Sequence, residues 1–291
     1  MSFSGREDQK RPLTPTLSPG KAGGEGAALC EPLKFPLFPP SILLPHLKKQ
    51  TQTMIELVGF DGDDTLWHSE GYYQGAHAEF ERIVGRYADL ENLRLHDRLL
   101  ETERRNIKLF GYGAKGMTLS MLEAAIDVTD SRISASDLHR IIAIGKDVLA
   151  HPVELLPDIR AAVESVAKRY RVVLITKGDL FHQEQKVASC GLADLFQRIE
   201  IVSEKDERAY RRVLGECAVP IQSFAMIGNS LRSDIAPVVT LGGWGVYMPY
   251  HVTWAHEADT DFADNSPRVM RVDGAKDISA ALSELDRRAA A

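Results

Sequence analysis

Cysteine is scarce in this chain: Cys30, Cys190 and Cys217 are the only three in 291 residues. So few, so scattered, build neither a disulfide framework nor a cysteine-rich zinc site. Cys190 and Cys217 fall inside helix-like patterns, where a small buried apolar side chain is the simpler role, and a reducing cytoplasm is the expected compartment. An excess of one charge is also missing. The net charge is −6, from 35 Lys and Arg against 41 Asp and Glu mixed along the chain, which argues against a protein built to coat a nucleic-acid polymer. No apolar run reaches the roughly 18 residues of a membrane span. The nearest, residues 35–47, is interrupted by Pro36, Pro39, Pro40 and Pro45. The first 30 residues lack the continuous apolar core of a secretory signal.

Residues 1–53 lack periodicity of any kind and hold eight of the chain's fourteen prolines. They read as a disordered or non-native extension. Met54 stands immediately before the first strand-like run, so the natural protein is expected to begin there.

From residue 55 the pattern changes. Strand-like runs at 55–60, 172–176, 198–202, 224–227 and 243–247, with an edge strand at 268–272, alternate with helix-like stretches at 181–190, 206–218, 231–241 and 276–288. That alternation predicts an α/β fold: a doubly wound, Rossmann-like parallel sheet. Between the first two strands, helical patterns at 72–88, 92–110, 116–128 and 135–150 predict an all-helical cap. The expected organisation is therefore a core of 54–67 and 154–291 with a cap at 68–153.

Polar residues with chemical capacity stand at the downstream ends of the strand-like runs, where open α/β sheets build their sites. The first run stops on Asp61-Gly62-Asp63-Asp64-Thr65. Carboxylates crowded there repel unless a cation or a proton offsets them, an arrangement suited to Mg²⁺ and acid/base chemistry. The second run ends on Thr176-Lys177-Gly178, the third leads to Ser203-Glu204-Lys205-Asp206, and the fourth ends on Gly228-Asn229-Ser230 with Asp234 beyond. Asp61 is placed to attack as a carboxylate nucleophile, with Asp63 as the proton carrier. Asp64 is assigned to hydrogen-bonding the loop. Thr176, Lys177 and Gly178 are the substrate-binding candidates, and two lysines, Lys177 and Lys205, are available to offset anionic charge. Lys177 can also line the pocket mouth.

In their order and spacing these motifs resemble the haloacid dehalogenase superfamily, in particular its phosphatase-like members with a helical cap, over about residues 54–290. The resemblance implies Asp61 as nucleophile, Asp63 as general acid/base, Thr176 and Lys205 as the second and third motif residues, and Mg²⁺ held by Asp61, the Asp63 carbonyl, Asn229 and Asp234. Asn229 departs from the family pattern, which has an Asp there, and removes one negative charge. The activity implied is a Mg²⁺-dependent phosphatase on a small phosphorylated metabolite, through an aspartyl-phosphate. The alternatives are a metal-independent 2-haloacid dehalogenase, which has no use for Asp63, and a non-catalytic binding protein that kept the fold. Cationic candidates for substrate contact are Arg104, Arg105, Lys108 and Lys115, around the glycines of Phe110-Gly111-Tyr112-Gly113, with most of the four expected to be ordinary solvated helix charges. The aromatic and His-rich loop at 248–257 reads as a pocket wall or a homodimer contact.

Overall fold

The computed structural model describes residues 54–87, 94–252, 262 and 264–290. The expectation for residues 1–53 lies outside them. Six strands form one parallel sheet: β1 (Leu57–Phe60), β2 (Arg171–Lys177), β3 (Arg198–Val202), β4 (Phe224–Gly228), β5 (Trp244–Tyr247) and β6 (Val269–Arg271), in the spatial order β3-β2-β1-β4-β5-β6. The chain runs outward from β1 in one direction and, after β3, returns to fill the other side. The strand order therefore reverses between β1 and β4, where such sheets open a crevice beyond their strand ends.

Both faces of the sheet are buried. Val58, Phe60, Val172 and Leu174 join one apolar cluster with α5 (Ile159–Ala167) and α9 (Ile278–Ala289), while Leu57, Val173 and Ile175 join another with α7 (Glu207–Cys217). The period-two alternation explains why these strands read as continuous apolar runs. Cys190 and Cys217 are free and buried.

Four helices follow β1 before the sheet resumes: α1 (Glu70–Val84), α2 (Leu95–Phe110), α3 (Ala114–Val128) and α4 (Ala135–Ala150). They have their own apolar cluster, with Phe80, Ile83, Leu99, Met121 and Ile141 at its centre. Two short segments connect this helical part to the core, and they pair with each other. The His68 N–H donates to Glu154 O (2.9 Å) and the Leu156 N–H to Leu66 O (2.9 Å).

Two elements differ from the sequence reading. Helix α5 was not foreseen, although Ile159, Ala162, Val163 and Val166 carry an apolar stripe at helical spacing. The helix expected at 231–241 is instead a π-helical turn, Leu231–Ile235, followed by the short α8 (Ala236–Thr240). Pro237 has no N–H and crowds the preceding turn, so the backbone widens there. Among the described residues no helix is long and apolar enough to cross a membrane.

Candidate active site

Strand register brings the motifs together. Phe60 pairs with Leu174 on one side and with Ile227 on the other, so β1 and β4 end nearly level while β2 runs on to Lys177. The Asp61 N–H still donates to Ile227 O at 2.9 Å, fixing the loop as it departs. Beyond β2 and β3 the loops end on aspartates that cap the next helix. Asp179 accepts from the His182 N–H at the start of α6 (Leu180–Ser189), and Asp206 accepts from the Ala209 N–H at the start of α7. Asp61, Asp63, Thr176, Lys177, Gly178, Lys205, Asn229 and Asp234 all line a single cavity at this edge.

Its deepest part is an ion triad. Lys205, only 4% exposed, donates to Asp61 Oδ1 and to Asp234 Oδ1 (2.8 Å). The second Asp61 oxygen accepts from Thr65 Oγ1 at 3.0 Å, and Asp234 Oδ2 accepts from the Ser230 N–H at 3.0 Å. Burial, aided by the charge of Asp234 and opposed by Lys205, pushes the Asp61 carboxyl up to about 7. For Lys205 burial works against the charged form, but Asp234 and Asp61 outweigh it and hold the ammonium above its ordinary value. Only glycine fits at 228, because a Cβ there would lie 2.2 Å from Asp234 Oδ2.

Asp63 is held separately. Its Oδ1 accepts from Trp67 Nε1 (2.6 Å) and Lys186 Nζ (2.8 Å), and its Oδ2 from Gln183 Nε2 (2.8 Å). Burial would raise this carboxyl, yet Lys186 and the three hydrogen bonds together bring it below the usual range. Asp63 is thus an anion, the form that accepts a proton from water. Gly178, at φ 144°, lets the chain pass over Gln183, whose Nε2 would otherwise meet a Cβ at 2.9 Å.

Thr176 is 1% exposed and its Oγ1 has no partner within the protein. A buried hydroxyl left open at a cavity wall suits a ligand oxygen. Lys177 donates to Ser233 Oγ (3.0 Å), approaches Glu204 (3.5 Å) and lies 4.4 Å over the Tyr112 ring, which belongs to the helical part.

A family model for haloacid dehalogenase-like hydrolases matches residues 55–238. The chain belongs to this family. It is 51% identical to a haloacid dehalogenase-like family hydrolase from Xanthomonas campestris, over 84% of this chain and 97% of that one, with a TM-score of 0.75. More distant structures share the fold. One is a 2-haloacid dehalogenase from Pseudomonas syringae (20% identity, 79% of this chain and 98% of that one, TM-score 0.52). Another is a putative β-phosphoglucomutase from Thermotoga maritima (17%, 79% and 100%, 0.54). No protein of curated function matches this sequence.

In this hydrolase the oxygen donors available to a cation are of mixed type. Among the described residues no group of three or more His, Cys, Asp or Glu side chains surrounds a common metal position. Asn229 supplies the missing member. With its amide nitrogen turned inward it donates to Asp61 Oδ2 (3.1 Å) and to the Asp63 carbonyl (3.3 Å). A half-turn of the side chain puts the amide oxygen beside those two oxygens instead. Mg²⁺ takes such oxygen ligands and keeps several waters, so the residues fit it. Asp234, which accepts from Lys205 and the Ser230 N–H, lines the same cavity and is a fourth oxygen donor there.

Asp64 also lines the cavity, but it caps α1, its carboxylate accepting from the N–H groups of Ser69 (2.8 Å) and Glu70 (3.1 Å). It stands at φ 60°, a left-handed conformation that Asn also tolerates and Ala does not. Burial and then Asp63 push its carboxyl up to about 7. A raised acid costs stability as pH climbs from about 4 to about 7, because the unfolded chain gives up its proton first. Asp64→Asn is therefore expected to gain stability relative to the parent across that interval in thermal melts. Asp64→Ala, which loses both cap and backbone fit, should lose about 2–3 kcal/mol. Equal melts for the two variants would remove Asp64 from the cap.

Arg104, Arg105 and Lys108 do not line the cavity: α2 buries Thr102, Glu103 and Asn106, so the three cations point outward, and Arg105 pairs with Glu123 instead. Of that set only Lys115 comes near, bonded to Asp179 at 2.8 Å. Residues 248–252 are not cavity wall either; Tyr250 Oη lies 2.6 Å from His68 Nδ1, against the connection to the helical part. Residues 253–257 lie outside the described residues. Lys186 and Gln183 were missed, although polar residues on the buried stripe of α6 are the signal that finds them.

Proposed function

We propose that the chain is a Mg²⁺-dependent phosphatase of small phosphorylated metabolites, working through an aspartyl-phosphate on Asp61. The observation that carries this reading is the placement of Asp63 with Asp61, Thr176 and Lys205 around one cavity. A dehalogenase needs only the nucleophile, whereas phosphoryl transfer from an alcohol needs a proton carrier as well. Asp61 attacks phosphorus as the carboxylate while Lys205 offsets the charge that builds up. The Thr176 hydroxyl and Lys177 receive phosphoryl oxygens. A bound Mg²⁺, held by Asp61, the Asp63 carbonyl, Asn229 and Asp234, would neutralise phosphoryl charge. As the anionic substrate enters, its charge raises the proton affinity of Asp63 and favours release from Lys186. The protonated acid then serves the leaving alcohol. In the second half-reaction Asp63 takes a proton from the water that splits the phosphoenzyme.

The direct test is hydrolysis of p-nitrophenyl phosphate with and without Mg²⁺. Turnover of this ester that ignores the cation would remove Mg²⁺ from the reading, and none at all beside turnover of 2-chloropropionate would install the dehalogenase reading. Asn229→Asp adds a charge to the donor set and needs no amide rotation. It is expected to lower the Mg²⁺ concentration for half-maximal activity by about tenfold, and Asp234→Ala to raise it. Identical Mg²⁺ titration curves for the parent and both variants would place the metal elsewhere.

A further inference from the structure

We infer that the cavity selects a phosphate monoester whose leaving alcohol carries a positively charged amine, received by Glu70 at the start of α1 and Gln183 on α6. This rests on the phosphatase reading and names its substrate class. Around the cavity most charges are matched: Lys205 by Asp61 and Asp234, Lys186 by Asp63, Lys115 by Asp179. Glu70, the first residue of α1, lines the same cavity, and the charges that act most on it are Asp64, Glu103 and Asp63, all of its own sign. With burial they push its carboxyl up to about 8. An acid at a helix N-terminus is ordinary in itself, but Gln183 adds an independent demand. It is 3% exposed, spends its Nε2 on Asp63 and the Lys177 carbonyl, and leaves Oε1 without a partner.

Gln183 Oε1 is an acceptor open to a donor, and an incoming cation would favour the ionised form of Glu70 and make it a second. A second, smaller cavity shares Tyr73, Tyr112 and Gly113 with the first and ends on Glu103, 3.2 Å from His77. This second cavity adds the acidic Glu103 and has no Lys or Arg in its lining. A second phosphate or carboxylate on the substrate would meet like charge there, and an alkyl group would leave Gln183 Oε1 and Glu70 unsatisfied. An ammonium group supplies both charge and three N–H donors.

The test compares three esters of similar length with Mg²⁺ present: O-phosphoethanolamine, n-propyl phosphate and phosphoglycolate. We expect kcat/KM to be highest for the amine, by about tenfold over the propyl ester, and lowest for the carboxylate. Glu70→Gln should reduce the amine-to-propyl ratio by about tenfold, and Glu70→Asp should keep part of it. Equal kcat/KM for amine and propyl esters in the parent, or preference for the carboxylate, overturns the inference without need of any variant. A ratio unmoved by Glu70→Gln overturns it too. If neither these esters nor p-nitrophenyl phosphate is cleaved, the phosphatase reading falls and takes the inference with it; cleavage without amine preference fells the inference alone.

Discussion

Asp61→Asn is expected to lower turnover of a phosphate ester by at least about 10⁴-fold while leaving the fold intact. The amide has the shape of the carboxylate but not its nucleophilicity, and Asp63 is clamped by Trp67, Gln183 and Lys186, so it cannot substitute. The same change should help the metal-free protein. Burial and Asp234 raise the Asp61 carboxyl to about 7, so its ionisation withdraws stability as pH rises from about 4 to about 7. Above that interval the Asn variant, freed of the repulsion, should melt no lower than the parent in EDTA, with Lys205 still bound to Asp234. Acid-quenched reactions with labelled substrate check the chemistry directly: label should attach to the parent and not to the variant. Label retained by the variant, or a rate within tenfold of the parent, would move the nucleophile elsewhere.

The second large effect is on stability. Lys205→Met removes the cation from between two buried carboxylates, and uncompensated buried charge of this kind costs about 3–5 kcal/mol. For a chain of this size that corresponds to a fall in melting temperature of about 10 °C. The loss should shrink toward pH 4, where protonation of Asp61 relieves the pair, and should shrink also in Mg²⁺. Catalysis should fall by about 10²–10³-fold, because the charge aimed at the attacking and phosphoryl oxygens is gone. Lys177→Met is the comparison. That lysine is partly exposed and bound to Ser233 and Glu204, so its removal should cost about 1 kcal/mol or less. Melting curves for the two variants at pH 5 and pH 8, with and without Mg²⁺, separate the cases. A Lys205→Met protein as stable as Lys177→Met would mean that the triad is not a buried charge cluster.

By itself the sequence determined where the strands end and what stands there. Apolar runs buried on both faces and helices started by Asp179 and Asp206 are local patterns, written in neighbouring residues. Hence the parallel sheet and the meeting of Asp61, Thr176, Lys205 and Asp234 at one edge could be read before any coordinates. What the tertiary structure alone decided is how those groups are held. The clamp on Asp63 comes from Gln183 and Lys186, 120 and 123 positions away, and depends on which helix packs beside the β1 loop. The outward turn of Arg104, Arg105 and Lys108 followed from which stripe of α2 was buried, in a helix whose covered face includes Thr102, Glu103 and Asn106. The π-helical turn at Leu231–Ile235 positions Asp234 against Lys205, and the inward amide of Asn229 depends on two oxygens from the β1 loop. Charge at such positions cannot be assigned from residue type, because burial and partner, both set by packing across the sheet, decide whether a carboxyl is an anion like Asp63 or an acid near 7 like Asp61.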